Sequence, residues 1–218
     1  RAVRGRVDRA AADYDRAAGL AAIEAARRMG LDAGALAGLE KRARAIPIAG
    51  ERLGGPGVEM VLVQQGGLRL GAMRSLVSRG EYAAFAEATG REPARCRERA
   101  SLLRVIAPRS WRSPGFEQRD TDPVVCVSWD DAKAYADWLG ARDGLDYRLA
   151  TASEWSRLPA IGGERRLAEW NLDCSGSCEQ RVASGASWRD EAGAPAAHEA
   201  GRGYDDLGFR LVRDIKRA

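Results

Sequence analysis

Apolar residues at Val3, Val7, Ala10, Tyr14, Ala18, Ala21, Ala25 and Met29 recur at steps of three and four, the period of one α-helical face. That spacing predicts a single amphipathic helix ended by Gly30, a residue that tolerates the backbone of a helix stop. Asp32 is placed to cap a second, shorter helix carrying Ala35, Leu36 and Leu39. Residues 1–50 therefore read as a helical hairpin that serves as a stalk or connector. Packing on the main domain or on something upstream is one use for it; a juxtamembrane connector that carries a signal is the other. Pro47, Gly50, Gly54, Gly55, Pro56 and Gly57 then break the helical period, which places a boundary between residues 1–50 and 56–218.

Beyond the boundary, Val58–Val63 and Leu68–Gly71 read as the two strands of a hairpin turning at Gln64–Gly67. A helix is expected over Gly80–Thr89, with Tyr82 and Phe85 inward and Gly90 at its end. Arg91–Phe116 has no clear period; Trp111, Pro114, Gly115 and Phe116 suggest a loop tacked down by aromatics. Its Arg95, Arg97, Arg99, Arg104, Arg109 and Arg112 form either an anion patch or solvated pairs with nearby acids. Val124–Val127 reads as a strand closed by Ser128. Ser128 and Asp131 form a variant of the capping box, opening a helix whose Ala134, Tyr135, Trp138 and Leu139 share a face. Thr151 with Glu154 repeats the device for a short helix through Trp155.

The charge balance of +4 is uneven. Residues 1–50 hold ten Arg and Lys against six Asp and Glu, and the remainder holds 25 against 25. The larger part is thus neutral, and with no basic stripe interleaved with aromatics the chain does not read as a nucleic-acid binder. Apolar residues at 45% and charged residues at 30% describe an ordinary globular chain, and 218 residues suffice for one full core and a small appendage. No run reaches the ~20 apolar residues of a membrane span. Arg1 in place of Met leads to the expectation that the chain begins mid-protein or after processing, with a possible tether to a membrane in a missing N-terminal segment.

The stretch from Asp122 to Trp155, DPVVCVSWDDAKAYADWLGARDGLDYRLATASEW, closely resembles the hallmark of the formylglycine-generating enzyme (sulfatase-modifying factor) family, with Ala150 where that family usually has Pro. MRSLVSRGEYAAF (Met73–Phe85) precedes it, and Leu167–Trp170 (LAEW), Ser184–Trp188 (SGASW) and Gly208–Arg213 (GFRLVR) follow in the family's order. The resemblance implies an α+β fold: a variant of the C-type lectin fold, rich in irregular loops, here behind the helical hairpin. One departure is the short Ser156–Arg166 link, which puts the family's calcium sites in doubt. Glu169, Asn171 and Asp173 could gather oxygens around a cation, but a solvated acidic loop is the expected reading.

Four cysteines, Cys96, Cys126, Cys174 and Cys178, allow three pairings. Cys174 and Cys178 enclose a flexible Ser-Gly-Ser, and Cys96 lies before the strand that carries Cys126. Two disulfides and an oxidising compartment are the favoured reading. Free buried thiols and a zinc site are the rivals, the latter without the usual paired spacing. In the resembling enzymes, two thiols that hold copper(I) stand about two and seven residues beyond the Trp of the Gly-Gly-Ser-Trp motif. Here those positions are Asp190 and Pro195, so the copper pair is absent by residue type. His198, the sole histidine, cannot build the iron site of other relatives and reads as an exposed loop residue. No cofactor and no catalytic residue is expected.

What the resemblance then implies is a non-catalytic extracytoplasmic module that binds a small ligand or a protein. Domains of this kind stand at the C-terminus of bacterial transmembrane Ser/Thr kinases, some linked to type VI secretion. A divergent sulfatase-activating oxidase is one alternative, and a retroelement-diversified lectin-fold protein is another. The expected ligand face is the segment after SGASW, with Trp188, Arg189, Asp190, Glu191, His198, Arg202, Tyr204 and Asp205 as candidates. Trp188 and Tyr204 suit a core equally well.

Overall fold

In the computed structural model, which describes residues 1–54, 57–96, 108–161 and 166–215, the long apolar period at the start of the chain is interrupted. Three helices replace the expected hairpin: α1 (Ala2–Ala12), α2 (Arg16–Arg28) and α3 (Ala33–Arg44). The cause lies at Asp13-Tyr14-Asp15. Tyr14 takes a left-handed backbone (φ 50°), the Asp15 N–H reaches back to Ala10 C=O at 2.8 Å, and the Asp15 carboxylate accepts from Ala18 N–H at 2.9 Å. A side chain that caps a new helix outweighs an apolar period that would run through it. Asp32 caps α3 as expected.

Val3, Val7, Ala22, Ile23, Ala26, Leu36 and Ala43 make the helical core. Gly19 is needed where α2 passes its neighbours, because a Cβ there would lie 3.1 Å from Ile46 Cδ1 and 3.3 Å from Ala43 Cβ. The compact unit that contains these helices is Arg1–Gly55, Met60–Gly71 and Ile215–Ala218; it includes β1 (Met60–Gln65) and the start of β2 (Leu68–Met73). Gly66 and Gly67, at φ 55° and 82°, form the tight turn between these strands. Residues 50–53 are stitched to β1 through Gly50 N–H to Leu62 C=O and Leu53 N–H to Met60 C=O, both 2.8 Å.

The second unit, Pro56–Glu59 with Ala72–Asp214, holds the family-like motifs. Its helices α4 (Arg79–Thr89), α5 (Trp129–Asp143) and α6 (Ala152–Trp155) each begin with a reciprocal capping box: Ser78–Glu81, Ser128–Asp131 and Thr151–Glu154. Gly90 and Gly144 end α4 and α5 in left-handed conformations. Tyr82 and Phe85 of α4 pack with Tyr135 of α5, and Trp111, Trp138 and Phe209 complete an aromatic core.

Short β3 (Arg148–Leu149) pairs antiparallel with β8 (Leu211–Asp214). A four-stranded sheet joins β4 (Ala168–Ser175), β5 (Gln180–Ser184), β6 (Ala196–Glu199) and β7 (Leu207–Gly208) in the order β6-β5-β4-β7. Helices and small sheets with long connections make this an α+β fold.

Val124–Val127 is buried but is not the strand expected. Val124 N–H bonds Val77 C=O, and Cys126 N–H bonds Tyr204 C=O, so the segment is shared between two partners. Cys126 also takes φ 59°, which breaks the alternation a ladder needs. Nearby, Cys96 is bridged to Cys126, and Gly203 N–H bonds Arg95 C=O at 3.0 Å. A second bridge joins Cys174 and Cys178, leaving no free cysteine. Arg97, Arg99 and Arg104 of the arginine-rich segment lie outside the described residues.

Candidate functional site

A groove of about 1220 Å³ opens in the second unit between the 116–123 segment, the 155–161 segment and the end of β5. Leu76, Val125, Leu158 and Leu167 give it an apolar lining, while Arg119, Asp122 and Arg166 bring charge to it. Deeper, Glu169 of β4 and Arg210 are paired at 2.8 Å (Oε2 to Nε), with side chains 7% and 3% exposed. Arg210 Nη1 also donates to Pro159 C=O at 2.8 Å. The Arg210 Nε–H itself is not aligned for a hydrogen bond although the charges touch. Burial raises the Glu169 carboxyl above the ordinary range, and the Arg210 guanidinium opposes this only in part. Burial likewise lowers Arg210, against the pull of Glu169. This pair is therefore costly to bury and has been placed where two strands converge: Glu169 lies opposite Ser184 on β5 and Gly208 on β7.

Trp155, the last residue of α6, forms another wall. Its ring lies so close to Gly185 (φ 101°) that a Cβ there would be 2.8 Å from Trp155 Cζ2. Gly185 belongs to the Ser184–Trp188 motif, so that motif's glycine is where backbone and indole meet. Trp155 Nε1 is buried with no acceptor in full hydrogen-bond geometry among the described residues, and its indole faces the Glu169 carboxyl, which it acts to lower.

The eight candidates on the C-terminal segment fall into two groups. Trp188, Arg189 and Asp205 form one. Arg189 stacks on the Trp188 ring (4.1 Å to its centroid) and grips Asp205 through two hydrogen bonds of 2.7 and 2.5 Å. Asp205 holds Arg189 above its usual range, and burial only partly opposes this. Trp188 is 40% exposed, and its N–H donates to Arg166 C=O at 3.0 Å, which puts the group at the groove's edge. Asp190 closes a small turn: its N–H donates to Ser187 Oγ at 3.0 Å, and Ser187 Oγ–H donates to Asp206 at 2.8 Å. Exposed Glu191 lies 3.6 Å from Arg166.

The other group lies around β6. His198 is not an exposed loop residue: it sits on β6, opposite Arg181 of β5, and packs edge-on to Tyr204 and Trp170 with ring centroids 4.7 and 5.8 Å away. Tyr204 is core, and its hydroxyl accepts from Glu199 N–H at 3.1 Å. Arg202 stays outside, 3.5 Å from Glu199. The expected acidic loop is also overturned. Glu169 and Asn171 are buried on β4; Asn171 Oδ1 accepts from Ser184 at 2.5 Å, and Asp173 accepts from Ala152 N–H at 2.6 Å. These oxygens are already engaged by protein donors.

Sequence reading missed the groove itself. Trp155, Glu169 and Arg210 were each legible as motif residues and Phe116 as a loop aromatic, but nothing in their spacing says that they converge.

Residues 68–168 match the family described as the sulfatase-modifying factor enzyme 1-like domain. No curated protein matches the chain. Among solved structures it is similar to PvdO from Pseudomonas aeruginosa (19% identity, 74% of this chain and 100% of that one, TM-score 0.56). It is also similar to CarF (19%, 68% and 87%, 0.48) and to Treponema denticola variable protein 1 (14%, 75% and 98%, 0.47). At such identity the likeness to PvdO establishes the fold alone.

Proposed function

We propose that this sulfatase-modifying-factor-like domain is a non-catalytic, extracytoplasmic binding module, with the groove and its Trp188–Arg189 edge as the contact surface. The observation that carries this reading is the state of its sulfur. All four cysteines are tied in disulfides, and the two positions where the resembling oxidases hold copper are Asp190 and Pro195. A carboxylate and an imino acid do not substitute for a pair of soft thiolate ligands. Asp190 is moreover the closing residue of a turn, its carbonyl accepting from Ser187 N–H at 2.8 Å and its carboxylate from Ala192 N–H at 3.0 Å.

The rest of the site supports binding. An apolar lining over a buried ion pair, with charged groups at the walls, suits a ligand of mixed polarity, and the half-exposed Trp188 offers flat area stiffened by Arg189. Two disulfides support an oxidising setting, and among the described residues no helix is long and apolar enough to cross a membrane. In the finer form of this proposal, the domain is the periplasmic sensor of a bacterial Ser/Thr kinase linked to type VI secretion, and the N-terminal helices are its connector.

The decisive assay is aerobic incubation with copper(I) and a cysteine-containing sulfatase-motif peptide. No aldehyde is expected; its formation overturns the proposal. A kinase domain and a membrane span encoded upstream in the same gene product are expected for the finer form, and a secretion signal alone refutes it.

A further inference from the structure

We propose that the Cys174–Cys178 bridge is a thiol–disulfide exchange site, opened reversibly by an external thiol while Cys96–Cys126 stays closed. The two bridges differ in access. Cys96 and Cys126 are 6% and 0% exposed, whereas Cys174 and Cys178 are both exposed at the tip of the β4–β5 hairpin. Cys174 stands directly opposite Arg181 in the antiparallel ladder. Arg181 is held in place by its guanidinium over the Trp129 ring (3.7 Å) and by Nη1 donating to Leu172 C=O (3.1 Å). The same Nη1 lies 2.8 Å from Cys174 Sγ.

A fixed cation beside one sulfur favours its thiolate and makes that sulfur the better leaving group. The Asp173 carboxylate is turned to Ala152 N–H, and Glu179 is an exposed side chain beyond Cys178. Cys178 carries φ 66°, a backbone region that is costly for a residue with a Cβ, and opening the bridge releases the constraint that holds it there. The pairs Glu169–Ser184 and Trp170–Ala183 lie away from the tip, so the strands stay joined when the bridge opens.

The step balances as an ordinary exchange. An external thiolate attacks Cys178 Sγ, the S–S bond breaks, and Cys174 leaves as a thiolate beside Arg181. A second external thiolate attacks the outer sulfur of the mixed disulfide and releases Cys178. Two electrons pass to the protein pair, the external thiols become one disulfide, and their two protons go to the released cysteines or to water.

The test equilibrates the native chain in glutathione buffers, traps thiols by alkylation and reads each cysteine by mass spectrometry. Cys174–Cys178 is expected to open at a reduced-to-oxidised ratio at least about tenfold below that for Cys96–Cys126, and Arg181→Met to raise its required ratio by about tenfold. Arg181→Lys, which keeps the charge but loses the stacked plane, is expected to raise it severalfold, and it decides the matter if the Met variant does not fold. Overturning results are two bridges that open together, or a midpoint unmoved in whichever of these variants shows the parent's circular dichroism.

Discussion

Glu169 and Arg210 neutralise each other inside the domain, Oε2 lying 2.8 Å from Nε with both side chains almost fully covered. Such a pair is weak evidence for stability as a unit, yet removing one member strands the other. Glu169→Ala is therefore expected to cost about 3–5 kcal/mol in urea denaturation, because Arg210 keeps only the Pro159 carbonyl. Replacing both by Met is expected to recover most of that loss. A double variant as unstable as the single would show that the pair contributes through more than mutual charge.

Gly203 allows no side chain. A Cβ there would stand 2.4 Å from Cys126 O and 2.5 Å from Cys126 C, and these are backbone atoms that cannot swing aside. Gly203→Ala is expected to destabilise the fold by about 2–3 kcal/mol, measured by thermal melting. Gly176→Ala, at the open tip of the β4–β5 hairpin, meets nothing within 4 Å and suffers only from its left-handed backbone (φ 63°), so a smaller loss is expected.

Loop closure separates the two bridges energetically. Cys96–Cys126 spans 30 residues and Cys174–Cys178 only 4, so chain entropy assigns about 3.7 and about 2 kcal/mol respectively. Cys96→Ser with Cys126→Ser is expected to lower the denaturation midpoint clearly more than Cys174→Ser with Cys178→Ser. Equal losses would show that the small bridge has a structural role that the loop length does not explain.

Acid sensitivity is expected from Glu154. Burial acts to raise its carboxyl, but the forked Arg148 contacts at 2.7 and 2.8 Å and the Thr151 N–H outweigh burial and hold it below the usual value of 4.5. A carboxyl whose folded pKa is depressed contributes stability above its unfolded pKa and loses it as pH falls through the folded one. Melting temperature should thus decline on acidification below about pH 4.5, and Glu154→Gln should flatten that decline while lowering stability at neutral pH. Asp143, lowered chiefly by its hydrogen bond from Arg142, contributes with the same sign.

Local chemistry was the most legible part of the sequence. The capping boxes of α5 and α6, the glycine stop of α4 and the inward Tyr82 and Phe85 follow from residue type and spacing, because each is decided within a few residues; the Ser78–Glu81 box went unread. What escaped had two causes. Asp15 broke a helix by a local cap that the apolar period overran, and the rest was decided by distant partners. Cys126, in a run that looks like a strand, is held by a disulfide to Cys96 and by the Tyr204 carbonyl, and neither is visible at positions 124–127. The candidate site was legible as motif ends, Trp155, Glu169, Gly185 and Arg210, but their convergence depends on β4 meeting β7 in parallel.

The backbone tie of Arg95 to Gly203, with Cys126 beside it, joins the middle of the chain to a stretch near its end. A ribosome therefore releases most of this domain before the tie can form. Long-range closures of this kind slow folding, and a crosslink formed early shortens the search that remains. Oxidation of Cys96 and Cys126 can precede the arrival of Gly203, so the order of these two events bears on the yield of native protein. Refolding from the oxidised chain should accordingly be faster than from the reduced one.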